Sequence, residues 1–227
     1  MIITSLCFNK RKMLSVGFVL IDESVGGLME GKVNTFLFDT SQLRTHSLWK
    51  AVSFCLEKGG LVYYIDLDTA FTVFLEQKVK SSPGLRNLVL FTPALGEVED
   101  VFSQVLSVKA HPPKLIVVDS ASAFYRFFEP EVSSGEVNRA LGLYLSMLQN
   151  FASKHGTCIL VTSLVRAKKL KSSGSWAPFY PGGRVLNEKS GLILMFKSMS
   201  GFFQVKVLKH PSKSLVGSVY RISVDDG

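Results

Sequence analysis

The chain contains little cysteine and no cysteine motif. Its three cysteines, Cys7, Cys55 and Cys158, are scattered through 227 residues and form neither a Cys-x-x-Cys pair nor a cysteine and histidine set at metal-ligand spacing. This absence argues against a disulfide-stapled extracellular fold and against a structural zinc site. Cys55 and Cys158 lie in apolar stretches, which predicts buried free thiols in a reducing compartment.

The chain also lacks a long hydrophobic run and an excess of acidic residues. The apolar start Met1–Ile3 is soon interrupted by the polar run Asn9–Lys12, so it is too short for a signal peptide or a membrane-spanning helix. We therefore expect a soluble intracellular protein. Lysine and arginine outnumber aspartate and glutamate by 26 to 18. This excess favours an anionic partner, with nucleic acid before an anionic membrane surface.

Apolar runs alternate with helix-like runs through the first two thirds of the chain. The apolar runs are continuous and rich in Val, Ile and Leu, which is typical of parallel strands covered on both faces; they are Leu61–Ile65, Leu88–Phe91, Leu115–Val118 and Cys158–Thr162. Amphipathic spacing predicts helices between them, at Thr69–Lys80, Glu97–Val108 and Ser134–His155. This alternation predicts a mostly parallel sheet flanked by helices.

The final third has a different pattern. Leu192–Lys197, Phe202–Leu208 and Val219–Val224 are predicted to be antiparallel strands joined by short connections. The segment 167–181 is rich in serine and lysine, and we expect it to be a mobile loop. Because no linker or repeat divides the chain, residues 1–227 are predicted to form one α/β domain with a C-terminal antiparallel extension.

The stretch Phe38–Ser47, FDTSQLRTHS, lies between a strand-like run and a helix-like run. A nucleotide-binding α/β protein would have a glycine-rich phosphate loop at this point, ending in Lys-Ser or Lys-Thr. Here the stretch contains no glycine, and Arg44 occupies the place of the lysine. The stretch is therefore an altered phosphate loop or an unrelated connection.

Several stretches, in order, resemble the core of the RecA/RadA recombinase superfamily. They cover residues 14–227 and read LSVG, IDESVGGLMEG, LVYYIDLDTAF, LIVVDSASAFYR, YPGGRVLNEKSGLILMF, VKVLKHPS and YRISVDDG. The resemblance is greatest to the short archaeal RadB-type paralogues, which have no separate N-terminal DNA-binding domain. It implies a RecA-like P-loop NTPase core with a C-terminal antiparallel extension.

The resemblance also assigns positions to an ancestral nucleotide site. Phe38 and Leu43 fall at the two loop glycines, Arg44 at the lysine and Thr45 at the Mg²⁺-binding hydroxyl. A Cβ at either glycine position opposes the backbone conformation or the close approach of a phosphate. The planar fork of Arg44 is a poor substitute for a lysine ammonium group.

Three further positions bear on catalysis. Asp119 falls at the Walker B carboxylate, Asp68 replaces the family's catalytic glutamate, and Leu164 replaces its phosphate-sensing glutamine. Phosphoryl transfer depends on positioning and electrostatics, so these changes together predict no ATPase activity, no catalytic residue and no metal site. ATP and Mg²⁺ would be cofactors only if the relict site, formed by Arg44, Thr45, Asp68 and Asp119, still binds them.

The family's DNA path implies a nucleic-acid site near the predicted loop. The candidate residues are basic or aromatic side chains that would contact phosphates or stack on a base; they are Arg166, Lys168, Lys169, Lys171, Trp176 and Arg184. The alternative is a solvated lysine cluster whose aromatics fold back on the core. Lys209 and His210 resemble a cap that reaches a nucleotide across a subunit interface.

The resulting hypothesis is a non-catalytic recombinase paralogue that assists homologous recombination and DNA repair. Its expected partners are single-stranded DNA, an active RadA-type recombinase or another paralogue, in a homo- or hetero-oligomer and without a membrane. It would be cytoplasmic and nucleoid-associated, or nuclear in a eukaryote. Two alternatives remain: an ATPase with an unorthodox loop built on Arg44 and Thr45, and a purely structural subunit of a repair complex.

Overall fold

The computed structural model describes residues 13–78, 83–128, 130–169 and 176–223. Its main element is an eight-stranded sheet with the order β10-β9-β8-β1-β5-β4-β2-β3, and a two-stranded sheet is formed by β6 and β7. The strands are β1 (Val33–Phe38), β2 (Val62–Asp66), β3 (Leu88–Phe91), β4 (Leu115–Asp119), β5 (Cys158–Leu164), β6 (Arg166–Lys169), β7 (Trp176–Phe179), β8 (Ser190–Met199), β9 (Phe202–Lys209) and β10 (Val219–Ser223).

Helices cover both faces of the large sheet. They are α1 (Val19–Val25), α2 (Ser41–Glu57), α3 (Ala70–Lys78), α4 (Val98–Ser107), α5 (Ala121–Phe124), α6 (Ser134–His155) and α7 (Gly183–Lys189). Buried side chains of α1, α2 and α3 pack on one face, and those of α4, α5, α6 and α7 pack on the other. The predicted α/β architecture is confirmed.

The predicted antiparallel extension is confirmed, and its first strand also joins the parallel part of the sheet. The strand predicted at Leu192–Lys197 is β8, which pairs in parallel with β1 and antiparallel with β9. Within the described large sheet only β9 runs against the other strands, because β10 is antiparallel to β9 and therefore points the same way as β8. Because β8 follows α7, it returns to the sheet in the parallel direction by a helical crossover, and its apolar pattern did not distinguish the two directions.

Helix α6 matches its predicted bounds, and its sequence explains why. The side chain of Ser133 accepts a hydrogen bond from the Glu136 N–H, and the Glu136 carboxylate accepts one from the Ser133 N–H, which forms a capping box. Gly156 ends the helix with a left-handed φ of 65°. Both ends are therefore specified locally.

The two described cysteines are buried free thiols, as predicted. Burial raises the pKa of Cys55 to about 11 and that of Cys158 to about 12. Both thiols therefore stay protonated at neutral pH and behave as core side chains. Within the described residues, no helix is both long enough and apolar enough to span a membrane.

The segment predicted as a mobile loop contains paired backbone. Strands β6 and β7 run antiparallel, with Arg166 opposite Phe179 and Lys169 opposite Trp176. The serine and lysine content of 167–181 did not indicate these strands, because the pairing is a property of the backbone and depends on where the chain turns back. Residues 170–175, which include Lys171, lie outside the described residues.

Candidate functional site

Strand β1 and helix α2 are joined by two residues, Asp39 and Thr40. The helix begins at Ser41, and the Thr40 side chain caps it by accepting a hydrogen bond from the Leu43 N–H at 3.4 Å. Residues 41–43, which a phosphate loop would use to surround its ligand, are therefore helical. A phosphate loop needs several consecutive N–H groups that converge on one anion, and a two-residue connection is too short to wrap around a phosphate.

Both positions that would be glycine in a phosphate loop carry side chains that pack in the core. Phe38 is fully buried, and its ring stacks on Phe196 with a centroid distance of 4.8 Å. Leu43 is half-buried and packs against the same hydrophobic cluster. The space that a phosphate-binding backbone requires is therefore occupied by hydrocarbon.

Arg44 points from the first turns of α2 into the interior, where it contacts two carboxylates. Its side chain is 1% exposed and forms a two-pronged pair with Asp68, with NH1 2.8 Å from Oδ2 and NH2 3.0 Å from Oδ1. Its Nε lies 3.3 Å from Oδ1 of Asp119. Burial opposes the charge on Arg44, but the carboxylates of Asp119 and Asp68 outweigh burial and raise the pKa of Arg44. This guanidinium therefore remains charged.

Asp119, the last residue of β4, is fully buried and hydrogen-bonded. It accepts a hydrogen bond from the Tyr64 hydroxyl at 2.7 Å and another from the Thr162 hydroxyl. Burial raises the pKa of Asp119 to about 6, although the nearby Arg44 charge lowers it. The carboxylate thus joins three neighbouring strands, β2, β4 and β5, to helix α2.

Thr45 and Leu164 fall at two other ligand positions of the family. In this chain both side chains make structural contacts instead. The Thr45 hydroxyl donates to the Ser41 carbonyl within α2 at 3.1 Å, a common bond for threonine inside a helix. Leu164 ends β5, is half-buried and has an apolar side chain. Neither geometry provides a ligand for Mg²⁺ or for a γ-phosphate.

The three carboxylates around Arg44 form a compact acidic cluster. Asp66, Asp68 and Asp119 each place an oxygen within 4.8 Å of the others. Asp66 accepts two hydrogen bonds from Thr72, at 2.8 and 2.7 Å, and burial raises its pKa. Arg44 already supplies the cation for two of the three. These residues do not fit an ATP–Mg²⁺ complex, because the phosphate cradle is missing and the cation position holds a guanidinium.

A groove lies at the carboxyl ends of β4 and β5, beside this ionic cluster. We call it the arginine groove, because Arg126, Arg166 and Arg184 line it. It has a volume of about 890 Å³, and Asp68, Leu164 and the aromatic residues Tyr125, Phe179 and Tyr180 also form its walls. All three arginines are exposed. Since Arg44 pairs with the one acidic residue in the lining, Asp68, the groove presents a basic surface.

Two of the predicted nucleic-acid residues, Arg166 and Arg184, meet in this groove. The backbones of Lys168, Lys169 and Trp176 lie in the adjoining β6–β7 pair, and Lys171 is outside the described residues. Sequence reasoning missed Arg126, whose NH2 donates to the Leu67 carbonyl at 3.2 Å. Arg126 is the last residue of the stretch LIVVDSASAFYR. Its place a few residues after the end of β4 could have indicated that it lies at the carboxyl end of the sheet.

The predicted interface cap is bonded within its own chain. Lys209 Nζ donates to the Asn187 carbonyl at 2.6 Å. The Ser212 N–H donates to Nδ1 of His210 at 3.0 Å, so Nε2 carries the proton and donates to the Val25 carbonyl at 3.1 Å. The geometry therefore gives both side chains an intramolecular partner, and the cap to a neighbouring subunit stays a prediction.

Known proteins that are similar to this chain include RecA and RadB proteins. RecA of Malacoplasma penetrans is 28% identical over 169 residues, which are 70% of this chain and 49% of that protein. The DNA repair and recombination protein RadB of Methanococcoides burtonii is 26% identical over 199 residues, 85% of this chain and 87% of that protein. The crystal structure of a RadB recombinase superposes with a TM-score of 0.72 at 21% identity, covering 94% of this chain and 97% of that one. No protein-family model matches the chain.

The sheet order and these relatives define a RecA-like α/β core, and the chain is homologous to the RecA and RadB recombination and repair proteins. It is RadB-like in extent, since the similarity to RadB covers most of both chains. By contrast, the chain spans about half the length of the RecA it matches.

Proposed function

We propose that this protein is a non-catalytic recombinase paralogue that assists homologous recombination, binding single-stranded DNA and an active recombinase without hydrolysing ATP. The observation that carries the proposal is the buried pair between Arg44 and Asp68, extended to Asp119. These are the positions that, in a working recombinase core, would hold the phosphates and their metal ion.

The internal cation explains how the fold persists without a nucleotide. Two carboxylates at this depth require a positive partner, because an uncompensated buried charge costs several kcal/mol. Arg44 provides that partner permanently: its Nη2 donates a hydrogen bond to Oδ1 of Asp68, and its Nη1 lies in ion-pair contact with Oδ2. ATP and Mg²⁺ would have to displace a buried ion pair and open the start of α2 before they could bind.

The arginine groove supports the DNA-binding part of the proposal. Arg126, Arg166 and Arg184 can contact successive phosphates, and the groove's aromatic walls offer faces on which an unpaired base can stack. Arg166 belongs to β6 and Arg184 to α7, and both line the groove, so a single strand lying in it can contact both. An active recombinase remains the proposed protein partner on the basis of the family resemblance.

The absence of nucleotide binding predicts no thermal stabilisation by ATP. A ligand present at 100 times its Kd adds about 2.7 kcal/mol to the unfolding free energy, which is a rise in Tm of roughly 5–10 °C for a domain of this size. We expect 1 mM ATP with Mg²⁺ to shift the Tm of this protein by less than about 1 °C. A RecA with an intact phosphate loop serves as the positive control, and a clear shift or measurable turnover would favour the unorthodox-ATPase alternative.

Single-strand binding predicts a salt-dependent affinity for a fluorescent oligothymidylate. Each phosphate contact contributes about −0.7 to the slope of log affinity against log salt. Substituting Arg126, Arg166 or Arg184 with methionine should each reduce the slope by about 0.7, and the triple variant should bind roughly 100-fold or more weakly. Arg86→Met removes an exposed arginine elsewhere on the molecule and is the matched control. Equal binding by the triple variant and the wild type would favour the purely structural subunit.

A further inference from the structure

We infer that Lys209 is a positioning residue that holds helix α7 at the wall of the arginine groove; this rests on the proposed function of that groove. Lys209 lies at the end of β9, and its Nζ donates to the Asn187 carbonyl in the last turn of α7 at 2.6 Å. A cation at this end of a helix complements both the unpaired carbonyl groups and the helix dipole.

Helix α7 is short, packs on α6 through Leu186 and is followed directly by β8 at Ser190. It is seven residues long, its N-cap residue Gly182 makes no side-chain cap bond, and Leu186 is its one fully buried residue. Helices of this length are not stable by themselves, so their order depends on tertiary contacts. The Lys209 bond ties the helix to the large sheet at the end opposite to Gly182.

The groove-facing side of α7 carries the functional groups. Arg184 and Asn187 both line the groove, and they are three residues apart, which places them on one helix face. The Tyr180 hydroxyl donates to Oδ1 of Asn187 at 3.0 Å. Asn187 is therefore held by Lys209 through its backbone and by Tyr180 through its side chain, and this double attachment sets the direction in which Arg184 projects.

Lys209 itself does not line the groove. Its removal should therefore weaken DNA binding by loosening α7, without removing a phosphate contact. A direct phosphate contact would change the salt dependence, whereas a positioning role changes affinity at every salt concentration alike. The two roles are distinguishable in one titration.

The experiment compares Lys209→Met, Lys209→Arg and Lys213→Met in the full chain, with oligothymidylate as the probe. We expect Lys209→Met to bind about threefold to fivefold more weakly with an unchanged salt slope, as for loss of a cation at a helix C-terminus. Lys209→Arg retains a donor and should bind like the wild type. Lys213→Met removes an exposed lysine four residues further along and is the matched charge control.

Hydrogen exchange provides a readout that does not depend on DNA. Amides of α7 should exchange faster in Lys209→Met, while those of α6 keep their wild-type rates. Unchanged α7 exchange, or a salt slope reduced as in Arg184→Met, would overturn the inference. Normal DNA affinity in Lys209→Met would overturn the inference alone. Absence of oligothymidylate binding by the wild type at low salt would overturn the proposed function and this inference with it.

Discussion

Replacing Arg44 with methionine should lower the free energy of unfolding by about 3–5 kcal/mol, the usual cost of removing one partner from a buried ion pair. Arg44 is 1% exposed and stands between Asp68 and Asp119, which is fully buried. Methionine fills a similar volume but leaves the Asp119 carboxylate without a cation.

Urea denaturation measured by circular dichroism tests this expectation. Arg86→Met, which also removes an arginine but from the surface, should change stability by less than about 0.5 kcal/mol. Arg44→Lys keeps the charge but loses the two-pronged contact with Asp68, so it should fall between the wild type and Arg44→Met. Equal stability of Arg44→Met and the wild type would contradict the assigned role of the pair.

A second large effect concerns pH. Burial raises the pKa of Asp119 from 3.8 to about 6 in the folded protein. Between these values the folded state holds a proton that the unfolded state has released, so stability is gained as pH falls and lost as pH rises through 6. A difference of this size corresponds to about 3 kcal/mol. Asp66, whose pKa burial also raises, acts in the same direction.

Denaturation at pH 5.0 and 7.5 measures this dependence. From pH 7.5 to pH 5.0 the unfolding free energy of the wild type should rise by about 1 kcal/mol more than that of Asp119→Asn, because this window covers about one of the two pH units between the folded and unfolded pKa values. Asp100→Asn removes an exposed carboxylate from α4 and should keep the wild-type pH dependence. If Asp119→Asn shows the same pH dependence as the wild type, the titration of Asp119 does not contribute.

The sequence predicted those parts of the fold that local signals specify. The bounds of α6 were correct because Ser133, Glu136 and Gly156 determine both of its ends within a few residues. The positions of the buried strands β2, β4 and β5 and of the edge strand β3 followed from continuous apolar runs. The antiparallel pairing of β8 with β9 was predicted correctly, whereas its parallel pairing with β1 depends on the crossover through α7 and not on the strand's own residues.

The candidate site was predicted in its residues but not in its conformation. Sequence reasoning identified Arg44, Asp68 and Asp119, yet it described Phe38–Ser47 as a loop, since the clear helical spacing starts at Leu48. Whether residues 41–43 become helical depends on partners far along the chain, namely the carboxylates that draw Arg44 inward and the Phe196 ring that packs on Phe38. Arg126 was missed for a similar reason, because the fold alone brings it to the groove.

The side chain at position 38 has an evolutionary consequence. Three substitutions, Phe38→Gly, Leu43→Gly and Arg44→Lys, would restore the spacing of a phosphate-loop motif to this stretch. The first would remove a fully buried ring stacked on Phe196, at a cost of at least about 3–5 kcal/mol. Since a domain of this kind is stable by only about 5–15 kcal/mol, a chain that first acquires glycine at position 38 would lose a large part of its stability. The buried ring at position 38 therefore opposes the acquisition of a phosphate loop at this stretch through single substitutions.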